Sequence, residues 1–124
     1  MENAPMTIER VDDVILISPH GDLERSLEAH LASLLASLLD TDSHKVIFDL
    51  SQVEHIHYGL LLRLINVVWL FRSFDGDLRF AEASPYVKKI FAFVVDDIDR
   101  KIFNSLGDAV LSFSEMPVPE QVLH

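Results

Sequence analysis

"VIFDLSQVEHIHYGLLLRLINVVWL" runs from Val46 to Leu70. Its first residues, within "HKVIFDL", form a short, nearly continuous apolar run with β-branched side chains. That pattern suits a strand buried on both faces. A loop follows. From about Tyr58 the chain reads as a helix with very few polar residues, continuing to Phe74 and stopping at Asp75-Gly76, a good C-terminal signal. At the joint stand His55, Ile56, His57, Tyr58 and Gly59. A strand that delivers polar side chains to a helix N-terminus is a common way to build a site. The joint and the apolar helix behind it therefore frame the functional question.

Upstream, "TIERVDDVILISPHG" contains two strand-like pieces, Thr7–Val11 and Val14–Pro19, with Asp12-Asp13 as the turn between them. Gly21-Asp22 follows. Leu27, Leu31, Leu34, Leu35, Leu38 and Leu39 then recur at three- and four-residue steps, the mark of an amphipathic helix ending near Asp40. Downstream, "DLRFAEA" reads as a strand in which Leu78, Phe80 and Glu82 alternate with Arg79 and Ala81. "SPYVKKIFAFVV" opens a helix with Ser84 as N-cap and Pro85 at its first position. "RKIFN" is a short fifth strand, Leu106–Phe113 a last helix, and "SEMPVPEQVLH" a loose tail. The order β-β-α-β-α-β-α-β-α implies a mostly parallel sheet with right-handed crossovers.

The totals bound the function. A chain of 124 residues with 49% hydrophobic content supports one domain, taken as residues 1–114, and a tail over 115–124. The net charge of -10 repels phosphate backbones and argues against nucleic acid as a partner. It also disfavours anionic membrane surfaces. The absence of cysteine removes disulfides, thiolate nucleophiles and cysteine-bound metals, and fits a cytoplasmic protein. The N-terminus has neither the basic nor the apolar region of a signal peptide. The longest apolar run, Leu60–Phe71, is interrupted by Arg63 and Asn66 and is too short to insert in a bilayer.

At about 100° per residue, Leu60, Leu64, Val67, Val68, Phe71 and Phe74 fall in one sector of the greasy helix, the core face. Arg63, Asn66 and Ser73 lie opposite. Tyr58, Leu62 and Trp69 share a sector beside the polar face, and Leu70 lies on its other side. Either neighbouring helices cover these large side chains, or they form an exposed strip that marks a protein interface. Trp and Tyr are favoured interface anchors.

Four segments resemble the STAS domain family, the fold of the bacterial anti-sigma factor antagonists. "VILISPHGDLE" is similar to the family's second strand and its Gly-acidic-Leu turn. "VIFDLSQVEHI" resembles the third strand, "SPYVKKIF" the opening of the third helix, and "LGDAVLSF" the closing helix. The resemblance implies an α/β fold with a mixed sheet of four or five strands and helices mainly on one face. It also implies a non-catalytic domain for protein binding and signal transduction in transcription regulation, with no cofactor. The family's motif after the matched Ile is Asp-Ser-Ser-Gly or Asp-Ser-Thr-Gly, whose first Ser a partner kinase phosphorylates. Here His57, Tyr58 and Gly59 occupy the switch position. Without a gap, His57 takes the place of Asp and Tyr58 that of the phosphorylated Ser. With a one-residue gap the Gly-Leu pair is kept, still with Tyr58 at the Ser. In the family, phosphate at that site adds roughly -1.5 to -2 charges to the contact surface and breaks partner binding. A Tyr hydroxyl lies several ångströms further out than a Ser hydroxyl, so a Ser/Thr kinase should not accept it.

The resemblance therefore implies a partner such as an anti-sigma factor or switch kinase, met through the switch-position residues and the strip of Tyr58, Leu62 and Trp69. An accessory or scaffolding subunit of a larger complex, or a homodimer through the same strip, stands as the alternative. His55 and His57 would point the same way on an extended segment, as metal ligands sometimes do, but a third ligand (His44 or Glu54) could only be guessed, and two polar loop histidines account for them without a metal. In the family pattern Asp49 reads as structural, tying the loop backbone. Asp96, Asp97 and Asp99 read as a solvated turn. No catalytic triad, nucleophile elbow or Gly-rich phosphate loop is legible.

Overall fold

The computed structural model of the protein describes residues 6–23, 28–39, 45–73, 75–94 and 102–114. The elements are β1 (Met6–Val11), β2 (Val14–Pro19), β3 (Gly21–Leu23), α1 (Glu28–Leu39), β4 (Lys45–Asp49), β5 (Val53–Ile56), α2 (Tyr58–Arg72), β6 (Asp77–Ala81), α3 (Pro85–Val94), β7 (Ile102–Phe103) and α4 (Leu106–Ser114). Five strands form one mixed sheet in the order β1-β2-β4-β6-β7. Only the opening β1–β2 pair is antiparallel; its register joins Val11 to Val14 across Asp12 and Asp13. Asp12 takes a left-handed φ of 56°, which Asp tolerates better than most side chains. The remaining pairs are parallel, as crossovers through helices require.

Alternation along the central strands divides the core in two. Ile15 and Ile17 of β2, Val46 and Phe48 of β4, and Leu78 and Phe80 of β6 face the layer of α1, α2 and α3. Val14, Ile47 and Ala81 face the other way and pack with Ala109 and Phe113 of α4. Three helices thus cover one face and one helix the other, which accounts for the unbroken apolar run of β4. Between the layers, the buried Asp77 accepts from Arg72 Nε at 3.0 Å and from Arg79 Nε at 2.8 Å. Arg79 also stacks its guanidinium 4.1 Å from the Phe113 ring and donates to Ser112 Oγ at 2.6 Å.

Three local details differ from the sequence expectation. Gly21-Asp22 is not a turn but the start of β3, which pairs in parallel with β5 as a separate two-stranded sheet. Glu82 does not continue β6. It sits beyond the strand at φ 61°, and its carboxylate accepts the Leu106 N–H at the start of α4. Leu61, outside the expected core sector of α2, is fully buried. The reason is that α2 packs against the sheet and is flanked by both α1 and α3, so a wider arc is covered than sheet contact alone would bury. The tail over 115–124, the acidic cluster of Asp96, Asp97 and Asp99, and the helix-terminal Phe74 lie outside the described residues.

Candidate functional site: the start of the second helix

The approach to α2 is held by the small β3–β5 sheet. Its register sets Asp22 opposite His55 and Leu23 opposite Ile56, after an irregularity next to Gly21. Gly21 adopts φ 75°, a conformation that costs other residues steric strain, and donates its N–H to the Gln52 carbonyl at 2.8 Å. Val53 and Ile56 anchor β5 in the core while Glu54 and His55 remain exposed. At the loop before β5, Asp49 accepts the Ser51 N–H at 3.0 Å and the Ser18 hydroxyl at 3.4 Å. Its carboxylate is therefore spent on tying the loop.

His57 is the N-cap of α2. Its backbone is extended, at φ -67° and ψ 135°, and its Nδ1 accepts the Gly59 N–H at 3.0 Å. An acceptor Nδ1 bears no proton, so this bond assigns the neutral imidazole with its hydrogen on Nε2. The first turn of α2 contains no acidic side chain, so within the helix nothing negative offsets the positive end of its dipole. A Cβ at position 59 would stand 3.4 Å from the imidazole, in van der Waals contact with the cap.

Tyr58, directly after the cap, is 60% exposed, and further along α2 Leu62 is 42% and Trp69 64% exposed. Among the described residues no neighbouring helix covers this strip. The Arg72 guanidinium lies over the Trp69 ring, 5.2 Å from its centroid. His55 does not join His57 in a common ligand set. Its Nδ1 shares a hydrogen bond of 2.9 Å with the hydroxyl of Tyr86 on α3, and the two rings stack at 5.7 Å. Among the described residues no three His, Asp or Glu side chains converge as a metal site would need. Tyr86 and the exposed Phe93 escaped the sequence reading, although they are two helical turns apart and lie off the face that Val87 and Phe91 bury. That spacing was the available signal.

Comparison with known proteins agrees with this architecture. Residues 5–109 match the family described as the STAS domain. A Bordetella bronchiseptica protein named as an anti-sigma factor antagonist, BtrV, is 23% identical over 86 residues, which cover 69% of this chain and 74% of the relative. The crystal structure of a Thermotoga maritima protein described as an anti-sigma factor antagonist superposes with a TM-score of 0.79 at 20% identity, covering 89% of this chain and 95% of the other. The unphosphorylated form of the Bacillus anti-sigma factor antagonist SpoIIAA gives 0.71 at 15% identity, covering 91% and 99%. At these identities the solved structures share the fold. Among the described residues no helix is long and apolar enough to cross a membrane.

Proposed function

The chain belongs to the STAS domain family, and on that premise we propose that it is a regulatory domain that binds a protein partner through the start of α2, in the manner of an anti-sigma factor antagonist. It acts by binding and not by catalysis. The observation that carries this reading is Tyr58, exposed at the first position of α2 immediately after the His57 cap; by the sequence resemblance, that is the place of the family's phosphorylated Ser. The domain lacks the Ser/Thr phosphoswitch, because a Tyr ring places its hydroxyl far from where a kinase shaped for Ser would find it. It therefore engages its partner constitutively or under another signal.

Two measurements test the reading. Incubated with ATP and the cell's Ser/Thr kinase of this class, the protein should carry no stoichiometric phosphate within residues 56–61 by mass spectrometry. Phosphate there would overturn the missing switch. Partner recovery by affinity capture should fall when Tyr58 is changed to Ala. Undiminished recovery would move the contact elsewhere on the domain.

A further inference from the structure

The five-stranded sheet ends differently on its two sides. At one edge β7 has 2 residues, whereas at the other β1 has 6. The register of β1 against β2 is unbroken from Met6 to Val11, and the stretch contains neither Pro nor Gly. Short strands, bulges and prolines are the usual means of blunting an open edge, whose N–H and C=O groups otherwise recruit another strand. From Thr7 to Val11 every residue is exposed, and Ile8 and Val11 among them are large and apolar. The hairpin fixes which backbone groups face outward. A two-residue turn closes on a hydrogen-bonded pair, here Val11 with Val14, and bonded and non-bonded pairs alternate from there. Val11, Glu9 and Thr7 therefore bond to β2, while Arg10, Ile8 and Met6 turn their N–H and C=O groups away from it. Among the described residues no backbone bond from outside the β1–β2 ladder reaches Ile8.

We infer that this edge takes β1 of a second copy of the chain, antiparallel, about a two-fold axis at Ile8. The residues of β1 select that register. Outward-bonding positions must meet outward-bonding positions, and a two-fold axis perpendicular to the sheet keeps each side chain on its own face. Centred on Ile8, the ladder pairs the whole of Met6–Arg10. Ile8 meets Ile8 and Met6 meets Arg10 on one face, and Thr7 meets Glu9 on the other, so no charge opposes its like. Centred on Glu9 or Arg10, the ladder sets that residue against its own copy, which destabilises a strand pair. Centred on Thr7, it pairs only Met6–Ile8. Charge and length thus favour one self-complementary register. The contact is a single strand pair, small among specific interfaces, and each copy has a net charge of -10. The dimer is therefore weak and tightens as salt screens that repulsion. β1 is separated by β2 from β4, and α2 lies between β4 and β6 in the chain. Both copies keep the start of α2 open, and the contact does not depend on what α2 binds.

Sedimentation velocity of the full-length protein, carried up to about 1 mM, reads the association directly. The protein should pass from monomer to dimer with concentration, and more readily at higher salt. Ile8→Lys places like charges at the axis on an exposed position. It should weaken dimerisation at least tenfold and leave the unfolding midpoint unchanged. The chain has no cysteine, so single cysteines report the register. Ile8→Cys should be crosslinked between copies by a short bismaleimide. Val11→Cys should not, because its two copies would stand roughly 20 Å apart at about 3.4 Å per residue. A monomer throughout, a dimer indifferent to Ile8→Lys, a dimer removed by Trp69→Ala instead, or equal crosslinking at both positions would each overturn the inference.

Discussion

A histidine closes the N-terminus of α2, where helices more often use Ser, Thr, Asp or Asn. Because the bond uses Nδ1 as acceptor, only the neutral ring can make it; an imidazolium has no lone pair to offer. Replacing His57 by Ala should cost about 0.5–2 kcal/mol, the usual range for a lost cap. His57→Asp should retain the stability, since a carboxylate accepts the same N–H and suits the positive helix end. Urea unfolding of the three proteins checks this, with a lower midpoint for the Ala variant and an unchanged slope as the expected result. A pH-dependent contact lies at the opening hairpin. The hydrogen bond from the Lys45 ammonium, 2.8 Å away, holds the Asp13 carboxyl below the ordinary carboxylate range, against a smaller opposing push from desolvation. A lowered folded-state value means that the contribution is present above the unfolded carboxylate value and fades as pH falls through the folded one. Lys45→Met should therefore return the Asp13 titration to the ordinary range and flatten that part of the acid-stability profile, as carbon-detected NMR of the carboxyl would show. The sequence marked His57 as standing at the joint, but not as a cap, because histidine is an uncommon choice there. It could not pair His55 with Tyr86, since 31 residues separate them and only the docking of α3 beside β5 brings them together.

Within α2, neighbouring positions do different work. Trp69 is largely exposed, while Phe71, two residues on, is fully buried. Phe71→Ala should cost roughly 3–5 kcal/mol of folding stability, the range for emptying a core aromatic site. Trp69→Ala should leave the unfolding midpoint nearly unchanged and weaken partner binding by about 2 kcal/mol, a loss of roughly thirtyfold. Calorimetry of unfolding beside a binding titration separates the two; a Trp69 variant that unfolds readily would place that side chain in the core. The angular reading of the sequence found Leu60, Leu64, Val68 and Phe71 as the buried arc because 3.6-residue periodicity is strong over a 15-residue helix. It missed Leu61 because periodicity reports one apolar face, not a second flank covered by another helix. The short strands β3 and β5 escaped for a different reason. They have three and four residues, carry no clear alternation, and begin at a glycine that reads locally as a turn. At the far end of α2, the Asp75-Gly76 stop was legible, but it is Asp75, at φ 65°, that takes the left-handed turn.

The whole molecule is two cores back to back on one sheet, joined by Arg79, which pairs with Asp77 and stacks on Phe113. Phe113 belongs to the α4 side, away from α2 and α3. Phe113→Ala should cost roughly 3–5 kcal/mol of stability, yet at a temperature where the variant stays folded its partner affinity should equal that of the parent. A matching loss of affinity would show that the two layers are coupled through the sheet. The sheet itself was legible from the sequence because strand–helix alternation and right-handed crossovers leave few arrangements. The separation of helices three to one was carried by the family resemblance, since a buried strand such as β4 looks alike from either face. Its placement also has a consequence for the chain as it is made. β4 lies between β2 and β6, joining Ile17 to Phe48 and Phe48 to Phe80. Synthesis proceeds from the N-terminus, and parallel pairings between distant segments form slowly. During translation α2 emerges before β6 and α3 exist to cover its inner and lateral faces. For that interval Phe71 and Leu61 are as available as Trp69, so the nascent chain passes through a stage of indiscriminate stickiness, and selective recognition arrives only when the last third of the polypeptide has been released.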